Sequence, residues 1–168
     1  MPKGLKETSG IITIGASLIE SAANTFTSGQ VDLQLNPLDN EVFVVYAIDL
    51  DMVEPDLVPG TDTAINASLS TTARTTVGGL QNSNVLASNR ISYQSAAGET
   101  TRGQFASDSS PSTMLEYLGI IATNDFFLNI EGSNNTSARS VIARVYGVRA
   151  RADASVYAAL VQSELLSA

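Results

Sequence analysis

Residues Glu41 to Met52 (EVFVVYAIDLDM) restrict what this chain can fold into more than any other stretch. β-Branched and aromatic residues dominate it, so it reads as a strand and not as a helix. On strict alternation Val42, Val44, Tyr46, Ile48 and Leu50 share one face. Phe43, Val45 and Ala47 take the other, until Asp49 and Asp51 turn that second face polar. A strand apolar on both faces has to be covered on both, which makes it central in a layered β fold. Asp39 and Asn40 punctuate its start, and Val53-Glu54-Pro55-Asp56 ends it.

The rest of the chain repeats the strand signal in shorter units. Ile11–Ile19 and Asn24–Leu35 precede the central strand, the second with Val31, Leu33 and Leu35 alternating against Asp32 and Gln34. Ala64–Thr72 alternates again. Residues 61–113 hold nineteen Ser or Thr, and the strands expected there are short: Thr75–Leu80, Val85–Tyr93 and Thr100–Phe105. Thr113-Met114-Leu115-Glu116 has the form of a capping box, which favours a short helix. Asp125–Glu131 and Ser140–Asp153 are clear strands joined by Gly132–Ser137, and they look like a hairpin. After Asp153, an expected N-cap, Tyr157, Leu160, Val161 and Leu165 form one stripe of an amphipathic C-terminal helix. About eight strands with regular turn signals predict an all-β antiparallel sandwich of jelly-roll type. Residues 1–10 are expected as a flexible arm, 11–153 as the sandwich domain and 154–168 as the helix or extension.

Composition removes several chemistries. With no cysteine and no histidine, the chain has no thiolate nucleophile, no disulfide framework, no His–Ser triad and no Cys/His zinc site. Length is sufficient for one domain that buries roughly 68–70% of its unfolded surface. Net charge is −8, and its distribution is uneven. Residues 1–62 carry ten acids and two lysines, whereas residues 63–168 carry seven acids and seven arginines. So acidic a chain is a poor match to a phosphate backbone. Lys3, Lys6 and the apolar run Ile11–Ile19 imitate a signal peptide, but Glu7, Thr13, Gly15 and Ser17 dilute the imitation. No segment approaches the ~20 apolar residues of a membrane span.

Asp49, Asp51, Glu54, Asp56 and Asp62 form the densest acidic cluster, at the exit of the central strand. Calcium takes six to eight oxygens, which a strand-end loop can supply, although no EF-hand spacing is present; the alternative is a solvated loop edge. Paired carboxylates can also hydrolyse glycosides, but such grooves are lined by aromatic platforms and this chain has no Trp. Arg139, Arg144, Arg149 and Arg151 crowd one segment. They suit acids of a neighbouring subunit, or ordinary ion pairing within the chain. Asn66-Ala67-Ser68, Asn134-Asn135-Thr136 and Asn135-Thr136-Ser137 match the glycosylation sequon, at a frequency that an Asn/Ser/Thr-rich chain produces by chance. No P-loop, GxGxxG or GxSxG motif occurs.

Taken together, EVFVVYAIDLDM, Phe126–Ile130 and Val141–Ala152 give a chain that resembles single jelly-roll capsid proteins of small icosahedral viruses. The resemblance is architectural and spans roughly residues 10–153, without a diagnostic motif. It implies a self-assembling coat protein of the virion, with copies of itself and other capsid proteins as partners and no catalysis, cofactor or metal. One departure stands out: many such proteins carry a basic N-terminal arm for the genome, and this arm has only Lys3 and Lys6. Tyr157, Leu160 and Val161 of the C-terminal helix, the four arginines, and Asp49, Asp51, Glu54 and Asp56 are the expected contact residues. The alternative reading is a secreted or surface-displayed β-sandwich module for binding or adhesion.

Overall fold

Val42, Phe43, Val44 and Val45 are all buried, since the two faces of their strand meet different apolar layers. The structure is a computed structural model and describes residues 3–167. Its strands are β1 (Leu5–Glu7), β2 (Ile12–Ile19), β3 (Thr27–Asp32), β4 (Glu41–Met52), β5 (Thr63–Ser70), β6 (Val85–Ala96), β7 (Glu99–Ala106), β8 (Gly119–Ile121), β9 (Asp125–Ser133) and β10 (Ser140–Ala152). One helix, α1 (Ala154–Leu166), follows. All pairings are antiparallel. In one sheet, sheet A, β1 and β2 share one side of β10, and β4 then β8 follow on the other. The second, sheet B, runs β3–β9–β5–β6–β7.

With β1 and β7 set aside, the orders β2–β10–β4–β8 and β3–β9–β5–β6 are those of a jelly roll. Each successive strand crosses to the opposite sheet, except across the β5–β6 hairpin. Between the sheets lie Phe43, Ile48, Ile65, Leu69, Ile121, Phe126, Leu128, Ile130 and Val141, all essentially inaccessible. A second apolar layer covers the outer face of sheet A. There α1 sets Val156, Tyr157, Leu160 and Val161 on Val42, Val44, Val148, Ala150 and Ala152.

The two layers are reconciled by one irregularity. Tyr146 stands opposite Ala47 and Gly147 opposite Val45, so Tyr46 is an extra residue in β4, a β-bulge. Before it, Phe43 and Val45 face the inner core; after it, Ile48, Leu50 and Met52 do. The single face expected for Val42 through Leu50 is therefore split. Val42, Val44 and Tyr46 belong to the outer layer, Ile48 and Leu50 to the inner one. Gly147 makes the bulge possible, because a Cβ there would lie 2.4 Å from the Val44 carbonyl oxygen and 2.6 Å from the Phe43 ring.

Several local expectations need correction. Asp125–Ser133 and Ser140–Ala152 are strands, but they lie in opposite sheets and form no hairpin. The segment between them crosses the sandwich, because residues of the first third claim its polar groups. Thr113–Leu118 is not helical: Leu115 N–H closes a turn on Ser112, and Leu118 N–H is drawn to the Val45 carbonyl at the edge of β4. Thr75–Leu80 forms no strand, as Gly78 and Gly79 break it and Arg74 folds back on Thr76 and Asn84. The N-terminal arm is anchored from Gly4 on. Leu5–Glu7 pairs with Ala150–Ala152, and Gly4 accepts from Asp153 N–H with φ +83° against Val156. Finally, α1 is not amphipathic in the expected sense. It is apolar nearly all round; Leu165 is 65% exposed, and Glu164 takes the inward position.

Gly147→Ala should lower stability by about 1–3 kcal/mol, the usual range for forcing atoms into a packed site. Gly15→Ala, where a Cβ meets nothing within 4 Å, should stay within about 0.5 kcal/mol of the parent. Urea denaturation of both variants measures this, and equal effects would contradict the bulge assignment.

Candidate functional site

The acids at the exit of β4 do not converge; each is drawn to a different partner. Asp49 and Asp51 lie exposed on the outer face of sheet A, where Asp49 is the cross-strand neighbour of Arg144. The Arg144 guanidinium is held above its ordinary range, first by its hydrogen bond with Tyr146 and then by the charge of Asp49. Glu54 turns the other way. Arg102 donates to both its oxygens from Nε and to Oε1 from Nη2 at 2.8 Å, and the Tyr93 hydroxyl donates at 3.0 Å. Those bonds, the Arg102 ones foremost, lower the Glu54 carboxyl, and the Tyr93 phenol rises in response.

Asp56 is a clamp on the crossing between β9 and β10. Its Oδ2 accepts from Thr136 N–H at 2.8 Å, Thr136 Oγ1 at 2.6 Å and Ser137 N–H at 3.2 Å, and Arg139 closes on Oδ1. The Thr136 hydroxyl is the chief cause of its lowered carboxyl. Asp62 accepts from Ser95 N–H at 2.8 Å. Among the described residues no three acidic side chains gather as a metal ligand set, so the geometry gives the calcium reading of Asp49–Asp62 no support.

The arginines find their acids within the chain. Arg139 pairs with Asp56, Arg149 with Glu41 at 3.1 Å and Arg151 with Asp39 at 2.8 Å. Arg149 also donates to the carbonyls of Leu33 and Gln34, sealing one end of the sandwich. Among the described residues, Arg144 is the member of the four without an ion pair inside 4 Å. Of the helix residues expected at a contact, Tyr157, Leu160 and Val161 lie half-buried against their own sheet.

Sequence reasoning overlooks three buried polar ties. Glu20 is 4% exposed and accepts from the N–H groups of Gly132, Thr25 and Arg139 at 2.7, 3.1 and 2.8 Å. Asn135 donates to the Ala64 carbonyl and accepts from Asp56 N–H, so this sequon asparagine is a buried structural link. Glu164 accepts from Ala122 and Thr123 N–H at 2.9 Å each, which fixes α1 to the segment after β8. The only signal for the two glutamates is an acid directly after an apolar run, which surface acids share.

A polar groove of about 430 Å³ opens where β4 passes β7. Asp49, Asp51, Asn89, Gln104, Ser107 and Asp108 line it. β8 pairs only with Phe43–Val45, so the second half of β4 borders this groove with little cover. Its one backbone tie there runs from Ile48 N–H to the Ser109 carbonyl, while Asn89 Nδ2 donates to the Leu50 carbonyl.

Burial raises the Glu164 carboxyl, outweighing the two N–H donors that favour its ionised form. Between the ordinary carboxylate value and the raised one, the unfolded chain has lost this proton and the folded chain keeps it. Stability linked to Glu164 is then fullest at or below the unfolded value and falls as pH rises through the folded one. Asp56 and Glu54, both lowered, have the opposite sign and lose their contribution on acidification. Thermal melts across mildly acidic pH should therefore show a component that declines with rising pH in the parent and is absent in Glu164→Gln. An identical pH dependence in both proteins would refute it.

No protein-family model matches the chain, and no curated protein does. Among solved structures, the chain is similar to one from desmodium yellow mottle tymovirus, with 8% identity over 92% of this chain and 96% of that one. The TM-score is 0.34, a weak likeness at the level of the fold.

Proposed function

We propose that this chain is a structural, self-assembling shell protein: a viral coat subunit of the virion whose principal partner is itself. The observation that carries the reading is the strand order, β2–β10–β4–β8 against β3–β9–β5–β6. That is the jelly-roll wrap implied by the coat-protein resemblance of Glu41–Met52 and Val141–Ala152. A fold hosts many functions, so the use of the charged groups matters as well. Glu54 and Asp56 are spent on ties that hold loops, and both are lowered, so neither keeps a proton to donate at neutral pH. A carboxylate acid–base pair needs one partner raised and the two close together. Loops fixed to the framework by Asp56, Glu20 and Arg149 suit a building block that presents rigid edges to its neighbours.

A second reading, a surface-displayed or secreted binding module, draws on the polar groove beside Asp49, Asp51 and Asp108. Expression of this chain alone, followed by size-exclusion and negative-stain microscopy, separates the two. Closed particles are expected. A clean monomer at every concentration would remove the shell reading and leave the binding module.

The in-chain pairing of Arg139, Arg149 and Arg151 also fixes the salt response. Were these arginines matched to a neighbour's acids, assembly would loosen with salt. Since they are matched internally, particles should persist from about 0.15 M to 1 M salt, over which the Debye length shrinks from about 8 to about 3 Å. Light scattering along that series is the measurement, and dissociation would point back to charge-matched contacts.

A further inference from the structure

Sheet edges carry unpaired N–H and C=O groups, and proteins that avoid pairing there shorten the edge, charge it, kink it or cover it. The edges of this sandwich follow that practice with one exception. β8 is three residues long; β1 carries Lys6 and Glu7; β3 ends on Asp32; β7 carries Glu99 and Arg102. β2 has none of these protections. Ile12–Ile19 (ITIGASLI) runs eight residues without a charge or a proline, in unbroken register with β10. Among the described residues, no hydrogen bond joins residues 12–19 to anything but β10. Ile12, Ile14, Ala16 and Leu18 face the inner core yet remain half-exposed, and Ile11 and Ile19 at the two ends are 73% and 65% exposed. The core is left open along this flank.

We propose that β2 pairs antiparallel with β2 of a second copy across a two-fold axis, joining the two β2-bearing sheets into one. The occupant follows from the strand's own sequence. An isologous antiparallel pair keeps both inner faces on the same side only if residues of like parity meet. With Gly15 on the axis, Ile12 meets Leu18, Ile14 meets Ala16, Thr13 meets Ser17 and Ile11 meets Ile19. Apolar stands on apolar and hydroxyl on hydroxyl, with no side chain at the axis itself. Moving the axis to Ala16 sets Ile12 against Glu20, which is buried and committed to three N–H groups. Moving it to Ile14 sets Leu18 against Gly10 and Ile19 against Ser9. On a chain of net charge −8, this uncharged strand is also where two copies can approach without acid facing acid. The interface stands by itself, whether or not dimers go on to close a shell.

The natural absence of cysteine makes the register directly testable. In Gly15→Cys the two thiols face each other across the axis, with Cα atoms about 4.5–5.5 Å apart, inside the disulfide range of about 4.4–6.8 Å. A Cβ at this position meets nothing within 4 Å, so the substitution is compatible with the fold. In Thr13→Cys the two thiols belong to residues four positions apart along the paired strands, about 14 Å. Under oxidised glutathione, Gly15→Cys should form a covalent dimer at least about tenfold faster than Thr13→Cys, as disulfide geometry requires. A mixture of Thr13→Cys and Ser17→Cys chains should cross-link to the mixed dimer. Equal rates for Gly15→Cys and Thr13→Cys, or no bridge in either, overturn the pairing. Microscopy of the same samples keeps the two readings apart: register-specific dimers without particles would refute the shell alone, and particles without the Gly15 bridge would refute this interface alone.

Discussion

The structure depends on β4 being covered twice. Its first half is apolar on both faces, and neither a single sandwich core nor a single docked helix can bury both. The bulge at Tyr46 meets the requirement by changing which residues point inward halfway along the strand. Val42 and Val44 can then support the outer layer beneath α1, while Ile48, Leu50 and Met52 continue the inner core. The glycine across from the bulge is part of the same device, because the β4 backbone and the Phe43 ring occupy the space of its missing side chain. Without the shift, Asp49 and Asp51 would face the core unpaired, a far larger penalty than the strain of one bulge.

Polar ties between distant parts of the chain fix the loops around that framework. Glu20, Asp56 and Asn135 all act on the crossing between β9 and β10, and two of the three are buried. Each gives backbone N–H groups a partner that a loop cannot supply for itself. The consequence is a long connection held as firmly as a strand. It also explains why β9 and β10 end in opposite sheets: the residues between them are engaged one after another by the first third of the chain, and none is left to close a tight turn.

How much of this is legible in the sequence depends on the range of the interaction. Glu41–Met52 can be read to the residue because breakers flank it, and the strand character of Phe126 and Val145 follows from alternation alone. Partners cannot be read, since alternation tells which face a residue takes but not which strand lies beside it. The bulge is invisible for the same reason: in an unbroken apolar run, inserting one residue leaves no compositional mark. At Thr113 the local signal favours a helix, but one long-range hydrogen bond from Leu118 to Val45 prevails. The acids of the first third and the arginines of the last third do announce a match. Whether it closes within one chain or between two is a matter of topology, which places Glu41 beside Arg151 in neighbouring strands and brings Asp56 to Arg139.

That in-chain closure has a consequence for association. Arg102, Arg139, Arg149 and Arg151 are each occupied by an acid of residues 39–56, so the remaining surface is dominated by unpaired carboxylates. Two copies therefore repel at separations up to a Debye length, about 8 Å at physiological ionic strength. Long-range attraction cannot bring them together; only contacts that form at van der Waals distance can hold them. Such contacts have to come from surface that carries no charge and still has something to satisfy. An edge strand with free backbone groups and half-covered isoleucines meets both conditions, whereas the helix face, though equally uncharged, has its backbone bonds already made. The charge pattern thus narrows self-association to β-sheet edges.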